Sequence, residues 1–554
     1  MIDLLALEPL LLDADPIGGE VPADFAACLN ERGLYSTNQF VLRLNPRIHA
    51  LVDAASPGLY AEGDLTEETL QAYSTYLHET IHWWQHMGST SGLIYSLARP
   101  VQTHLNDAAL SKVVQSIGGK KSLKRWAEER LRGGTRQDDP VLAAANRIVN
   151  NAIDVEFYKR IVLDPKIVPA LQSERYFESV GHSYWMAYGQ ALSVLTATVD
   201  REMDHLPNGP TWEEGFRQVR EAGLPGFAYQ GPVTVAPLGL RALYEGQARM
   251  LQLQYLTFGA SNPPSLAQLR EAGFFDTFYG EAFDAFLEIT GAIDPPKIDH
   301  PVVGLFLLIV DLAINPTRGF PLDIESFADF VTDTDPGIRF WRLSMAVRDN
   351  PSLLGAIVDY SAEEYGAIAD QLTEACGYDH PLAALQEIGI WAHEAPGVVD
   401  LMRQQANFQF DPSNIVIRVL FSHFIAFSQD KLAHPEFFCW PGAWMAGERV
   451  AQRSQTLFLR HLSLYTDRAD DDGIYPRYRP GADPKALTDT LSSFYANIVL
   501  YDLTWQWIFR DAPFAYEFGW LSQTISAEEM TTWAKGLFQN TYGVSPDDFD
   551  VSRP

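Results

Sequence analysis

Cysteine is scarce: Cys28, Cys376 and Cys439 are the only three among 554 residues. They stand too far apart for a C-x-x-C pair or a cysteine-based metal site, and they form no disulfide framework, so a reducing compartment is implied. Positive charge is short as well. Lys and Arg number 41 against 71 Asp and Glu, a net charge of −30, and such a field repels phosphate backbones and anionic headgroups alike. Nucleic acid is therefore not an expected partner. Long apolar runs are missing too. The longest, Val302 to Ile314, contains Asp311 and falls short of the roughly 20 residues a membrane span needs, so it reads as a buried core helix. Met1 to Leu12 carries Asp3 and Glu8 without a positive flank, unlike a secretory signal, and the expectation is a cytoplasmic protein with no membrane partner.

What is present describes a globular chain. A hydrophobic content of 47% with 20% charged residues supports a large core, and the length predicts two or more domains. The fold class expected is mainly α with a small β-sheet. Gln39 to Asn45, stopped by Pro46, is the best strand in the first half; it is either a structural strand or an edge to which an extended peptide adds. Asp139-Pro140 and Asp483-Pro484 each place a cap before a proline at the first helical position, and Ser526 with Glu529 is a capping box. A helix is expected from about Ser173 to Glu202. Asn414 to Phe427 reads equally as helix or buried strand, and Asp470 to Gly473 as a solvated turn, since it lacks the ligands of a calcium loop.

The stretch that carries chemistry is Asp64 to Met87, which contains His78-Glu79-Thr80-Ile81-His82, a complete H-E-x-x-H. Asp64 with Glu67 predicts a helix start, and Gly88 opens a turn running to Gly92. On a helix, residues four apart share a face, so both imidazoles can reach one ion at about 2.0–2.1 Å. Glu79 is rotated by about 100° from His78, which lets it face a water at the ion rather than the ion itself. Zn2+ is the expected cofactor, because a cation can acidify water and a neighbouring carboxylate can then take its proton. His86 lies two turns from His78, too far along the axis for the same ion, and is expected beside the site or at the surface. Trp83 and Trp84 are expected to pack.

A third ligand is sought downstream. Leu238 to about Leu256 reads as a helix despite Gly246, whose cost of about 1 kcal/mol against alanine suggests close approach to a neighbouring helix. This stretch holds Glu245-Gly246-Gln247-Ala248. With the two motifs together, the sequence resembles the gluzincins, zinc metallopeptidases whose third ligand is a downstream glutamate; the E-G-x-A patch is similar to that of their aminopeptidase branch. The resemblance implies zinc ligands at His78, His82 and Glu245, Glu79 as general base, and hydrolysis of a peptide bond in a protein or peptide substrate. It also implies a zincin-like domain over 1–260 with a helical insertion at about 90–235. Residues 261–554, after the Ser261-Asn262-Pro263-Pro264 boundary, are expected as a second helical domain that forms the cleft or receives a regulatory partner. His182, Tyr184, Tyr244 and Arg249 are alternative candidates for stabilising the oxyanion, with none singled out.

Two competing readings stay open. Glu79-x-x-His82 and Glu202-x-x-His205 together match the E-x-x-H pair of a di-iron carboxylate oxidoreductase. A catalytically inactive zincin-like scaffold is the other.

Overall fold

Two glutamates behind a threonine cap start the helix on which the rest is assembled. In the computed structural model, which describes residues 7, 11–12, 33–36, 39–55, 66–479, 481–522 and 524–551, the fold is mainly α with little strand. The helices that matter for the site are α1 (Pro46–Ala55), α2 (Glu67–Gly88), α3 (Thr90–Ile117), α4 (Pro140–Leu163), α5 (Val180–Val199), α6 (Leu240–Gly259), α7 (Phe278–Thr290), α8 (Pro301–Ile314), α9 (Ile415–Ala433) and α10 (Pro484–Phe509). Asp64 and Cys28 lie outside the described residues. The cap of α2 is Thr66, whose hydroxyl accepts from the Thr69 N–H at 3.1 Å, with Glu67 and Glu68 set against the positive end of the helix dipole. At the other end Ser89 both follows α2 and caps α3, accepting from the Gly92 N–H. The expected turn is thus a single residue between two helices.

From Thr69 to Gly88 every residue of α2 except His82 is buried. Helices α1, α3, α6 and α9 surround it. A Cβ at Gly88 would lie 2.5 Å from the Phe427 ring, so glycine there lets α9 approach closely. Gly246 does the same between α6 and α7, where a Cβ would meet Ala282 at 3.1 Å; the expected close approach of a neighbouring helix is observed, and the neighbour is α7.

The four-stranded sheet runs β1-β2-β4-β5, from β1 (Gly33–Ser36), β2 (Val41–Leu44), β4 (Tyr465–Arg468) and β5 (Asp471–Pro476). The first and last pairs are antiparallel, while β2 and β4 are parallel, with Val41 opposite Tyr465. β2 is therefore an inner strand, its ladder occupied on both sides, and peptide addition to it is ruled out. A second pair, β3 (Lys120–Lys121) and β6 (Asp550–Val551), is also parallel. His49 of α1 meets Asp467 of β4 at 2.6 Å in a buried contact. Both sheets thus join residues before and after Ser261, and one continuous apolar core spans that boundary. The expected helix over Val302 to Ile314 is α8, buried along its length. Its Asp311 is held by Lys431 at 2.6 Å and by the Tyr365 hydroxyl at 3.0 Å, the partnering a buried charge requires. Among the described residues no helix is long and apolar enough to cross a membrane.

Candidate metal centre

Helix α6 packs on α2 so that Glu245 lies beside His82, the one residue from Thr69 to Gly88 that is not buried. The Glu245 Oε2 lies 3.7 Å from His78 Nε2 and 3.4 Å from His82 Nε2, and the two imidazole nitrogens are 3.1 Å apart. Three donors around one ion at about 2.0–2.1 Å in a tetrahedral array stand about 3.3–3.4 Å from one another. The observed separations bracket that spacing. Among the described residues this is the only group of three or more His, Cys, Asp or Glu whose donor atoms converge in this way.

The imidazoles are held differently. His82 Nδ1 lies 2.8 Å from Gln85 Oε1, one turn on, and the Gln85 amide donates to the Tyr244 carbonyl and to Gln247 Oε1, both at 2.9 Å. Gln85 thereby fixes the His82 ring and straps α2 to α6 beside Glu245. This is the outer-shell orientation that metal-binding histidines require, supplied by a neutral amide. His78 is almost wholly enclosed and its Nδ1 is buried without a hydrogen-bond partner, so packing and the contacts of its Nε2 with Glu245 and His82 orient it.

Burial drives His78 down to about 3, against the pull of Glu245, and keeps it neutral. Burial lowers His82 too, but the Glu245 carboxylate, with Glu79 and Gln85, outweighs it and holds His82 at about 9. Burial would raise Glu245; the two imidazoles instead hold it well below the carboxylate range. Without a cation the site therefore keeps a proton on His82 at neutral pH, a proton that a cation must displace. Glu79 is 2% exposed, placed between the two histidines in the motif and close enough for its charge to act on His82.

The candidate oxyanion donors fare unequally. Arg249, one turn beyond Glu245, is fully buried; its guanidinium lies 3.9 Å from the centre of the Tyr279 ring and donates to Gln252 Oε1 at 2.5 Å. It is near enough for its charge to lower the His78 pKa. The Tyr244 hydroxyl donates to the Gln85 carbonyl at 3.2 Å and meets Ser89 Oγ at 3.3 Å, so it is engaged with α2 backbone rather than turned to the donors. Tyr184 is buried and donates to Asp335, and His182 pairs with Asp154 at 3.1 Å. Both belong to α5, which packs on α3 and α4, and their polar atoms are committed there. His86 is buried between the rings of Tyr95 and Tyr244, where burial pushes it down to about 3; it is an interior neutral residue. Trp84 joins Phe427, Phe437, Phe438 and Phe458, as a packing residue does. Glu202 and His205 lie beyond the end of α5, off any helix and away from the cluster.

Sequence reasoning missed Gln85, Gln247 and Tyr279. Gln85 had a local signal, since a residue three places after His82 shares its face. Tyr279 had none: its ring meets His78 edge-on at 6.0 Å between centroids, and it enters the site from α7. The residue that turns the chain into α7, Thr277, has φ of 55°, a region β-branched residues rarely adopt. No protein-family model, curated protein or solved structure matches the chain.

Proposed function

We propose that this chain is a zinc-dependent hydrolase of the gluzincin type that cleaves peptide bonds. The observation that carries the reading is the spacing of His78, His82 and Glu245 on two packed helices, with Glu79 beside them. A zinc ion held there supplies Lewis acidity, which brings the pKa of water from 15.7 to about 7. The remaining roles fall to the chain. Glu79 takes the proton of the attacking water and returns it to the departing amine. Gln85 keeps the His82 ring turned toward Glu245, and Tyr279 forms a wall beside His78. Three protein donors among the described residues, rather than the four of a closed structural site, support catalysis over a purely structural role. On the scarcity of cysteine we place the protein in the cytoplasm, with a protein or peptide substrate and residues 261–554 open to a regulatory partner.

Removal of the metal tests this. The purified chain is expected to contain zinc and to hydrolyse members of a mixed peptide library. A chelator should reduce the rate by roughly a hundredfold or more, and added zinc should restore it. Hydrolysis that continued unchanged after complete demetallation would overturn the reading, and bound zinc with no hydrolysis of any peptide would favour a scaffold.

A further inference from the structure

Lys159 sits near the C-terminal end of α4, one turn before Leu163, and is 8% exposed. Its ammonium lies 4.6 Å from the centre of the Tyr95 ring. Among the described residues it makes no hydrogen bond or ion pair, in a chain whose acidic residues outnumber its basic ones by 30. A buried lysine in such a protein would ordinarily find a carboxylate, because an unpaired buried charge is costly. This one instead lines a cavity of about 210 Å3 between α3, α4 and α10.

The cavity is built rather than incidental. Tyr95, Tyr501 and Trp520 supply aromatic wall. Gln506 of α10, 1% exposed, closes one side by donating to the Ala515 carbonyl and accepting from the Ala515 N–H. Arg99 reaches the same space; its guanidinium lies over Trp505 and its Nε is 3.5 Å from Glu156, a loose pair that leaves donors to spare. The charged lining comprises Arg99, Lys159 and Arg510 against Asp502 and Glu517, and Glu156 beside Arg99 brings the count to three charges of each sign. That balance disfavours a dianion more than a single negative charge. The space admits one ring or a short branched chain.

We infer that this cavity binds a small monoanionic carboxylate, its charge taken by Lys159 and Arg99 and its apolar body laid against Tyr95 and Trp520. The carboxylate supplies the partner that Lys159 lacks, and the aromatic wall desolvates the ligand body, which strengthens the charged contact. The site is separate from the metal donors and does not depend on the metal being zinc.

The test uses the full chain and three probes of similar size: benzoate, the neutral isostere benzamide, and inorganic phosphate. Saturable binding of benzoate is expected by titration calorimetry, with benzamide and phosphate weaker by about tenfold or more. Lys159→Met, which keeps the stem and removes the charge, should lose benzoate by at least that factor, while Lys159→Arg retains it; metal content should be unchanged in both. No binding of benzoate, equal binding of benzoate and benzamide, or tighter binding of phosphate would each overturn the inference, and all three are read on the unsubstituted protein. Undiminished benzoate binding by a folded Lys159→Met variant would overturn it as well.

Discussion

Glu79→Gln is expected to retain its metal and to lose hydrolysis, with kcat falling by roughly a thousandfold or more, within the range that a positioned general base contributes. The substitution is nearly isosteric, which matters because the side chain is almost wholly buried, and a smaller residue would leave a void beside both histidines. The amide cannot take a proton from water, while His78, His82 and Glu245 keep their places. Metal content by elemental analysis and turnover on a peptide substrate, measured on the same sample, separate the two effects. A variant with full metal and undiminished turnover would remove Glu79 from the mechanism. A variant that lost its metal would show instead that Glu79 supports the ligands.

The second large effect falls on binding. Glu245→Ala removes the one anionic donor and leaves two neutral imidazoles, so affinity for zinc should fall by far more than the roughly 10–100-fold typical of outer-shell changes. Its carboxylate is also the main influence holding His82 up at about 9. Without it, burial should bring the His82 pKa down, and the proton that competes with the cation at neutral pH should be lost. The expected result is a large net loss of affinity with a weaker pH dependence between pH 6 and about 9 than in the parent, measured by competition with a chelator of known affinity. Unchanged affinity would mean that the cation sits elsewhere.

Features fixed by local chemistry were legible in the sequence. Asp139, Asp483 and Ser526 cap helices as their neighbours predicted, because a cap depends on residues within one turn. The two histidines of the motif share a helix face for the same reason. Gly246 announced a close approach, though not which helix approached. Asn414 to Phe427 was undecidable because the corresponding part of α9 is buried nearly all round, so no apolar stripe marks its period. The parallel pairing of β2 with β4 joins segments more than four hundred residues apart, and nothing in either strand specifies its partner. The same limit explains the oxyanion candidates. His182 and Tyr184 have suitable chemistry, but their elements carry them to Asp154 and Asp335. Tyr279, which does reach His78, belongs to a segment with no motif at all.

The reading rests on one ion between two helices, and diffraction at the zinc absorption edge from crystals of the purified chain addresses it directly. The account predicts one strong anomalous peak within about 2.0–2.2 Å of His78 Nε2, His82 Nε2 and a Glu245 carboxylate oxygen. A zinc-replete crystal with no peak there, or with its peak at other residues, would contradict it.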